Sequence, residues 1–389
     1  MILSAASWCV ILAYLSLFAY GLGDNIRGPL YPEILRAYEL SNTAGSWVFG
    51  LSSLAGVLGS LASHAFFRRW DRVRTLNFSL VVMAFSLAGM GLAPDFFWML
   101  AACAGFGFSM GLISVCQNAL ASVGAPEHRR RQILGGLHSM YGLASLLAPM
   151  LVAVLVPWTG SWRSPFLMAA AVTALLAVWT LWKLPREPEE TLHKGSHRSA
   201  RGGPPPRRAE QLWVSVILSC YVVAEILIGT RLALYLRRES GADLESSSLA
   251  VTMFFVGLLA GRLLMAVLPG TGSLRRILAG SLIGSISLLI LGLQGWTWGL
   301  ILSGLAMAPF YPVVVAFIAQ QIPRHIDSTM SWALTLQSFM VVVMHVLVGW
   351  LTDEHGIHAA LWTGPAVLAV SLIFLVSYGP LFHRRSTGI

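Results

Sequence analysis

Long runs of apolar residues, separated by short polar and charged segments, occupy most of this 389-residue chain. A helix needs about 20 apolar residues to cross the hydrocarbon core of a bilayer. Such a helix also satisfies its own backbone hydrogen bonds, which lipid cannot do. The sequence therefore predicts an all-α integral membrane protein with twelve transmembrane helices, over residues 7–33, 43–67, 75–93, 96–122, 133–157, 163–183, 211–236, 247–268, 276–293, 297–320, 329–351 and 360–381.

The longest polar segment divides these runs into six and six. It contains Gly202-Gly203-Pro204-Pro205-Pro206 among dense mixed charge, a composition that cannot build a hydrophobic core. We therefore expect an N-terminal six-helix bundle over 1–184, a flexible cytoplasmic linker over 185–210 and a C-terminal six-helix bundle over 211–389.

The two halves also resemble each other in sequence. Tyr20-x-x-x-Asp24 in the first span corresponds to Tyr221-x-x-x-Glu225 in the seventh, and Leu137-His138-Ser139 in the fifth corresponds to Leu336-Gln337-Ser338 in the eleventh. Matches in corresponding helices indicate a duplicated unit, and hence two pseudo-symmetric bundles. Transporters built from such parallel repeats bind solute near the bilayer midplane, at the interface of the repeats.

Composition and charge agree with a membrane location. Hydrophobic residues make up 56% of the chain and charged residues only 11%, against about 25% charged in an ordinary soluble domain. The net charge of +9 lies mainly in alternate loops, so it predicts topology and contact with anionic lipid rather than binding of nucleic acid. We expect a multi-pass protein of the plasma (bacterial inner) membrane with both termini cytoplasmic, and a first segment that is retained rather than cleaved as a signal peptide.

Two sequence patterns, one in a loop and one in a span, indicate a family. The segment from Arg68 to Arg74, which contains Asp71-Arg72, follows the second span, and Gly257-x-x-x-Gly261-Arg262 lies in the eighth. Together with twelve spans divided six and six, they resemble the major facilitator superfamily over the whole chain. The resemblance implies alternating access by two helical bundles, with Asp71, Arg72 and Arg262 as gating residues on the cytoplasmic side. The alternative is that these charges only determine the topology of the chain.

Within that superfamily the chain resembles the fucose–proton symporter branch, which includes bacterial glucose/galactose carriers. The residues that carry the likeness are Gly23-Asp24, Gln117-Asn118 and Tyr311-Pro312. The resemblance places Asp24 where that branch has a proton-linked acid. The branch also has a glutamate four residues before the asparagine of the fourth helix, where this chain has Ser114, so the resemblance does not extend to a second acid at that position.

Two carboxylates inside the spans are the candidate proton-coupling groups. Asp24 lies within the first span and Glu225 near the middle of the seventh, where an ionised, unpaired acid costs several kcal/mol. A buried acid of raised pKa can bind a proton in one conformation and release it in another. The alternatives are static ion pairs, with Arg27 for Asp24 and with Arg231 for Glu225.

Polar and aromatic residues in other spans are candidates for solute binding. Adjacent amides offer several donors and acceptors to a hydroxyl-rich solute, although packing between helices is the competing role. His138 is either a proton relay or a packing residue, and Arg231 could bind an anion bidentately or extend towards the interface. The candidates are Asn118, Gln117, His138, Gln337, Tyr221, Tyr311, Arg231 and Tyr20.

These features favour a proton-coupled symporter for a small polar solute, a sugar first, acting on solute and protons as a monomer among membrane lipids. No Walker, Gly-x-Ser-x-Gly or His-Glu-x-x-His motif indicates an enzyme. The four cysteines lack the spacing of metal ligands or of a disulfide framework, and no cofactor is expected. Export of drug-like or organic-anion compounds is the alternative, with transport of a divalent transition metal behind it.

Overall fold

The computed structural model describes residues 5–183, 208–267, 273–322 and 325–382. Within these ranges every regular element is helical, which confirms the predicted all-α membrane architecture. Eleven helical regions are long and apolar enough to cross a bilayer, and Thr363–Tyr378 is a shorter apolar helix at the position of the twelfth predicted span.

The chain forms two compact units. The first consists mainly of residues before 198, with Leu244–Leu249, and the second of later residues, with Ser41–Ser46. The predicted linker over 185–210 lies outside the described residues except for its last three, which begin a helix. The basic tail from His383 and the loop residue Arg324 also lie outside them.

The helices of the first half follow the predicted spans closely. The first span is divided in two, because Pro29 has no N–H to donate to the Asn25 carbonyl. The helices are α1 (Ala5–Asn25), α2 (Arg27–Ala37), α3 (Asn42–Arg69), α4 (Arg72–Leu92), α5 (Phe96–Gly124), α6 (Arg130–Thr159) and α7 (Ser164–Lys183).

The second half contains one divided span, the tenth. Pro309 and Pro312 each remove a helical hydrogen bond there, and the span is interrupted between Met307 and Phe310. The helices are α8 (Arg208–Glu239), α9 (Leu244–Val267), α10 (Leu274–Leu293), α11 (Trp298–Met307), α12 (Phe310–Gln321), α13 (Ile326–Leu361) and α14 (Thr363–Phe382). Helix α13 runs ten residues beyond its predicted end, past a non-helical Gly356 with φ 82°.

Close packing at glycine positions sets the helix spacing around the predicted acids. A Cβ on Gly21 of α1 would lie 2.8 Å from the Cβ of Ala144 in α6. A Cβ on Gly261 of α9 would lie 2.4 Å from the Cβ of Ala308, at the interruption of the tenth span. Small residues allow membrane helices to approach this closely, and both contacts bring a side chain of the neighbouring helix towards an acid.

Candidate functional site

The first acid site is built around Asp24, at the end of α1, and comprises Asp24, Arg27 and Tyr141. Arg27 opens α2 one turn later, and its Nη2 forms an ion pair with Asp24 Oδ1. Tyr141 of α6 donates from its hydroxyl to the other carboxylate oxygen at 2.7 Å. The proline-induced division of the first span thus lies directly at this pair, and both oxygens of Asp24 are engaged.

The guanidinium of Arg27 is enclosed by protein on every side. Its Nε donates to the Asp24 carbonyl at 3.3 Å, and its Nη1 donates to the Val48 carbonyl at 3.2 Å and to Ser52 Oγ at 2.9 Å. The rings of Phe49 and Phe106 lie 5.3 and 4.9 Å from its central carbon, within the range of cation–π attraction. With 4% of its surface exposed, Arg27 has no room to move its charge away from Asp24.

The second acid site comprises Glu225, Arg262, Tyr221 and Tyr311. Glu225 lies midway along α8, and Nη2 of Arg262 in α9 lies 3.2 and 3.3 Å from its two oxygens. The arginine is more open than that of the first site, with 32% of Arg262 exposed against 5% of Arg27, whereas the two carboxylates are alike, with 19% of Glu225 and 20% of Asp24 exposed. Arg262 Nε is buried without a hydrogen-bond partner among the described residues. This pair therefore leaves hydrogen-bonding capacity unused.

The interruption of the tenth span lies beside the second acid site. Tyr221 donates its hydroxyl to the Met307 carbonyl at 2.8 Å and stacks on Phe310 at 4.2 Å between ring centroids. Tyr311 is close enough to Glu225 and Arg262 to interact with both electrostatically. The second site therefore contacts, through Tyr221, the last residue of α11 and the first residue of α12, on either side of the interruption.

The structure brings together some of the sequence-predicted residues. Tyr20 packs edge-to-face on Tyr141, with ring centroids 5.6 Å apart, and so joins the first acid site. The ion pair of Asp24 with Arg27, one alternative raised by the sequence, is present. Glu225 pairs with Arg262 rather than with Arg231, which is 1% exposed and donates to Ser46 Oγ at 3.2 Å.

The remaining predicted solute-binding residues are on α5, α6 and α13. Asn118 donates within its own helix to the Ser114 carbonyl at 2.8 Å. Gln117 is 2% exposed, and its Oε1 has no partner among the described residues. His138 is exposed on α6 and Gln337 is half-buried on α13. Their part in solute binding stays a prediction.

The predicted gating residues occupy two different environments. Asp71 caps α4, where its side chain accepts from Arg74 N at 2.7 Å and pairs with Arg74 Nε at 3.4 Å. Arg72 is the first residue of that helix. Arg262 pairs with Glu225 inside its span.

Two contacts of the acid sites could not be read from the sequence. Arg262 is 37 residues from Glu225 and Tyr141 is 117 residues from Asp24, so no helical spacing connects them. The only sequence signal for the first was Gly257-x-x-x-Gly261, whose glycines permit the approach of α9 to the tenth span. No signal in the sequence marks Tyr141 as the partner of Asp24.

The chain is similar to proteins with several different functional descriptions. The chain is 20% identical to the glucose/mannose transporter GlcP of Bacillus subtilis, over 93% of each chain. It is 27% identical to the multidrug efflux pump Tap of Mycolicibacterium fortuitum, over 45% of this chain and 42% of Tap. It is 22% identical to the bypass of stop codon protein 6 of Saccharomyces cerevisiae, over 65% of this chain and 55% of the yeast protein. The chain thus spans about half of the yeast relative and nearly all of GlcP.

Solved structures show the same fold. A bacterial homologue of the human lysosomal transporter Spinster, in an inward-facing and occupied conformation, superposes with a TM-score of 0.76 at 14% identity, over 97% of each chain. A D-xylose-proton symporter superposes with a TM-score of 0.75 at 16% identity, over 95% of this chain and 97% of its own. The family model of the Major Facilitator Superfamily matches residues 13–231 and 214–387. This chain belongs to the Major Facilitator Superfamily of membrane transporters.

Proposed function

We propose that this transporter carries a small polar, sugar-like solute together with protons, by alternating access. The observation that carries the proposal is the presence, in each of the two units, of a carboxylate held by an arginine within the membrane spans. A charged pair at that depth is expensive to desolvate and adds little stability in return, so a functional role is the default interpretation.

The two pairs differ in their ability to carry a proton. If Asp24 were neutralised, Arg27 would remain as an uncompensated charge that is 4% exposed and held by backbone and hydroxyl oxygens. If Glu225 were neutralised, the charge of Arg262 could be stabilised by water or by a ligand, because about a third of its side chain is exposed. We therefore assign the proton-carrying role to Glu225. We assign to Asp24 a structural role, which is to stabilise the chain where α1 and α2 are divided.

The solute class is supported by the relative that aligns over nearly the whole chain, the glucose/mannose transporter GlcP. The chain also supplies amides, hydroxyls and aromatic rings in its spans, the groups that bind hydroxyl-rich solutes. Asn118, Gln117, His138 and Gln337 are the proposed solute contacts outside the acid sites, and the protein is proposed to act as a monomer in the bacterial inner membrane, with both termini cytoplasmic.

The test is solute-evoked proton entry into proteoliposomes that contain a trapped pH-sensitive dye. D-glucose, D-mannose, D-xylose and D-glucuronate are added outside in turn, without a preset gradient. Acidification of the lumen by any of them, abolished in Glu225→Gln and kept in the surface control Arg36→Gln, is the expected result. Acidification by none of them in wild-type protein, or full acidification in Glu225→Gln, would overturn the proposal.

Export of drug-like compounds is the second candidate, favoured by the alignment of 175 residues with Tap. It predicts that overexpression raises resistance to several lipophilic cations, and that these compounds, added outside dye-loaded proteoliposomes, enter in exchange for protons and make the lumen more alkaline. Resistance without any sugar-linked proton movement would establish export and exclude symport.

A further inference from the structure

The guanidinium of Arg262 is incompletely used, and that incompleteness indicates a ligand. A guanidinium has five N–H donors in a planar fork. Arg262 directs Nη2 alone at both oxygens of Glu225, while its Nε is buried without an acceptor among the described residues. A buried donor without a partner requires an explanation in a native structure. Arg27, by contrast, has Nε, Nη1 and Nη2 all bonded to protein oxygens.

Charge balance decides which kind of ligand would complete the second acid site. The groups that interact with Glu225 are Arg262 from α9, Tyr311 from α12 and Tyr221 one turn earlier on α8. Arg262 is the one cation among them, and the tyrosines are neutral in the working pH range. With Glu225 ionised, the site has zero net charge and a closed ion pair.

Protonation of Glu225 changes this balance by one charge. The carboxyl becomes neutral, Nη2 loses its ionic acceptor, and the site has a net charge of +1 on Arg262. A neutral sugar would leave that charge uncompensated within the membrane, where an unpaired cation is costly. A solute with a single carboxylate would restore neutrality, and its two oxygens match the Nε–Nη2 edge of a guanidinium.

Resting on the proposed symport, we infer that the second acid site takes a monoanionic, sugar-sized carboxylate, bound side-on by Arg262 once Glu225 holds a proton. One proton on Glu225 and one carboxylate on Arg262 then move together, so that no net charge crosses the membrane. Arg262 is the specificity-determining residue, because it is the group that distinguishes a sugar acid from the neutral sugar.

The experiment compares D-glucuronate with D-glucose, which differ only in the carboxylate at C6. Uptake is measured in proteoliposomes of the full chain under an imposed pH gradient, at zero potential and at potassium diffusion potentials of either sign set with valinomycin. The expected result is uptake of glucuronate that follows the pH gradient and does not change with the potential. Equal or faster uptake of glucose, or uptake of glucuronate driven by a negative interior, would overturn the inference.

Binding to purified protein by isothermal titration calorimetry separates recognition from transport. Removal of a charge-assisted bidentate contact corresponds to about 10- to 100-fold in affinity. We therefore expect Arg262→Gln to weaken glucuronate binding by at least about tenfold, while the surface variant Arg36→Gln binds like wild type. Unchanged binding in Arg262→Gln would contradict the inference.

The pH dependence of glucuronate binding in Glu225→Gln distinguishes a direct role of Arg262 in binding from a purely structural role. Glutamine is permanently neutral, like the protonated acid, so this variant should bind glucuronate with an affinity that does not fall as the pH rises. The double variant Glu225→Gln, Arg262→Gln removes both charges, leaves no unpaired ion, and should be folded and unable to bind glucuronate.

The proton-entry assay separates failure of this inference from failure of the proposed symport. If glucose evokes proton entry and glucuronate does not, the inference fails and the symport stands. If neither solute nor the other sugars are moved with protons, both fail.

Discussion

Each of the two acid sites contains a carboxylate, an arginine and tyrosines, but the sites differ in how many of their hydrogen-bonding groups have protein partners. In the first, both oxygens of Asp24 and all three nitrogens of Arg27 have protein partners, and two aromatic rings enclose the cation. In the second, one nitrogen of Arg262 serves both oxygens of Glu225, and a third of the arginine side chain is open. A saturated pair fixes structure, whereas an unsaturated pair can exchange partners during a cycle.

The difference also follows from where each arginine lies in the chain. Arg27 is three residues after Asp24 in the sequence, so their pairing is local. Arg262 comes from another helix, α9, and its position depends on the approach of Gly257 and Gly261 to the tenth span. The second pair is therefore the one that a movement of helices can open.

The largest effect is expected from Arg27→Gln. The variant loses the ion pair and leaves Asp24 without a counter-charge in a site where the arginine side chain is 5% exposed, and breaking such a pair costs about 3–5 kcal/mol. The thermal unfolding midpoint of purified protein should fall sharply. The matched change Arg262→Gln, at the more open pair, should cost less; an equal or larger fall for Arg262→Gln would break the comparison.

Gly261→Ala should have the next largest effect. The added Cβ would lie 2.4 Å from Ala308 Cβ and 3.2 Å from the Leu305 carbonyl oxygen, so α9 must shift, at about 1–3 kcal/mol. We expect loss of solute-evoked proton entry through displacement of Arg262. Gly280→Ala is the control, because nothing lies within 4 Å of its Cβ; proton entry as low in the control as in Gly261→Ala would refute the assignment to Arg262.

Tyr141→Phe should produce a moderate loss of stability. It removes one hydrogen bond to an ionised carboxylate at 2.7 Å, a contact worth about 1.5–3 kcal/mol. Tyr221→Phe removes a bond to the neutral Met307 carbonyl at 2.8 Å and should cost about 1 kcal/mol. Chemical denaturation of the two purified variants measures the difference, and the reverse order would indicate that Asp24 is not ionised.

The smallest effect is expected at the loop between α3 and α4. Asp71→Ala removes the cap of α4, which costs about 1 kcal/mol, while Asp71→Asn keeps an acceptor for Arg74 N and removes only the charge. If Asp71 gates through its charge, the two variants should slow transport alike although only the first lowers the unfolding midpoint. Normal transport in Asp71→Asn would leave Asp71 with a capping role alone.

The sequence was sufficient to predict the architecture, because a segment that crosses the membrane must be apolar and must satisfy its own backbone hydrogen bonds. Apolar length and the self-satisfied helix predicted the spans, but these were predicted as continuous, and the structure divides two of them after Asn25 and Met307, near Pro29 and Pro309. The sequence also led to Asp24 and Glu225, because an acid inside an apolar run is conspicuous. It offered Arg27 as the partner of Asp24, since one helical turn separates them.

The sequence could not predict the contacts between helices that are distant from each other along the chain. For Glu225 the sequence offered Arg231, six residues away on the same helix, and the structure supplies Arg262 from α9. Nothing local distinguishes these two arginines, because the choice depends on how closely α9 packs on the tenth span. Tyr141, on α6, is reached by Asp24 only because Gly21 lets α1 and α6 approach.

The central claim is that Glu225, and not Asp24, changes its protonation state. It is tested most directly by the infrared difference spectrum of the reconstituted protein between low and high pH, in the region of the protonated carboxyl stretch. The account predicts a carboxyl band that disappears in Glu225→Gln and persists in Asp24→Asn. A band that persists in Glu225→Gln and disappears in Asp24→Asn would contradict it.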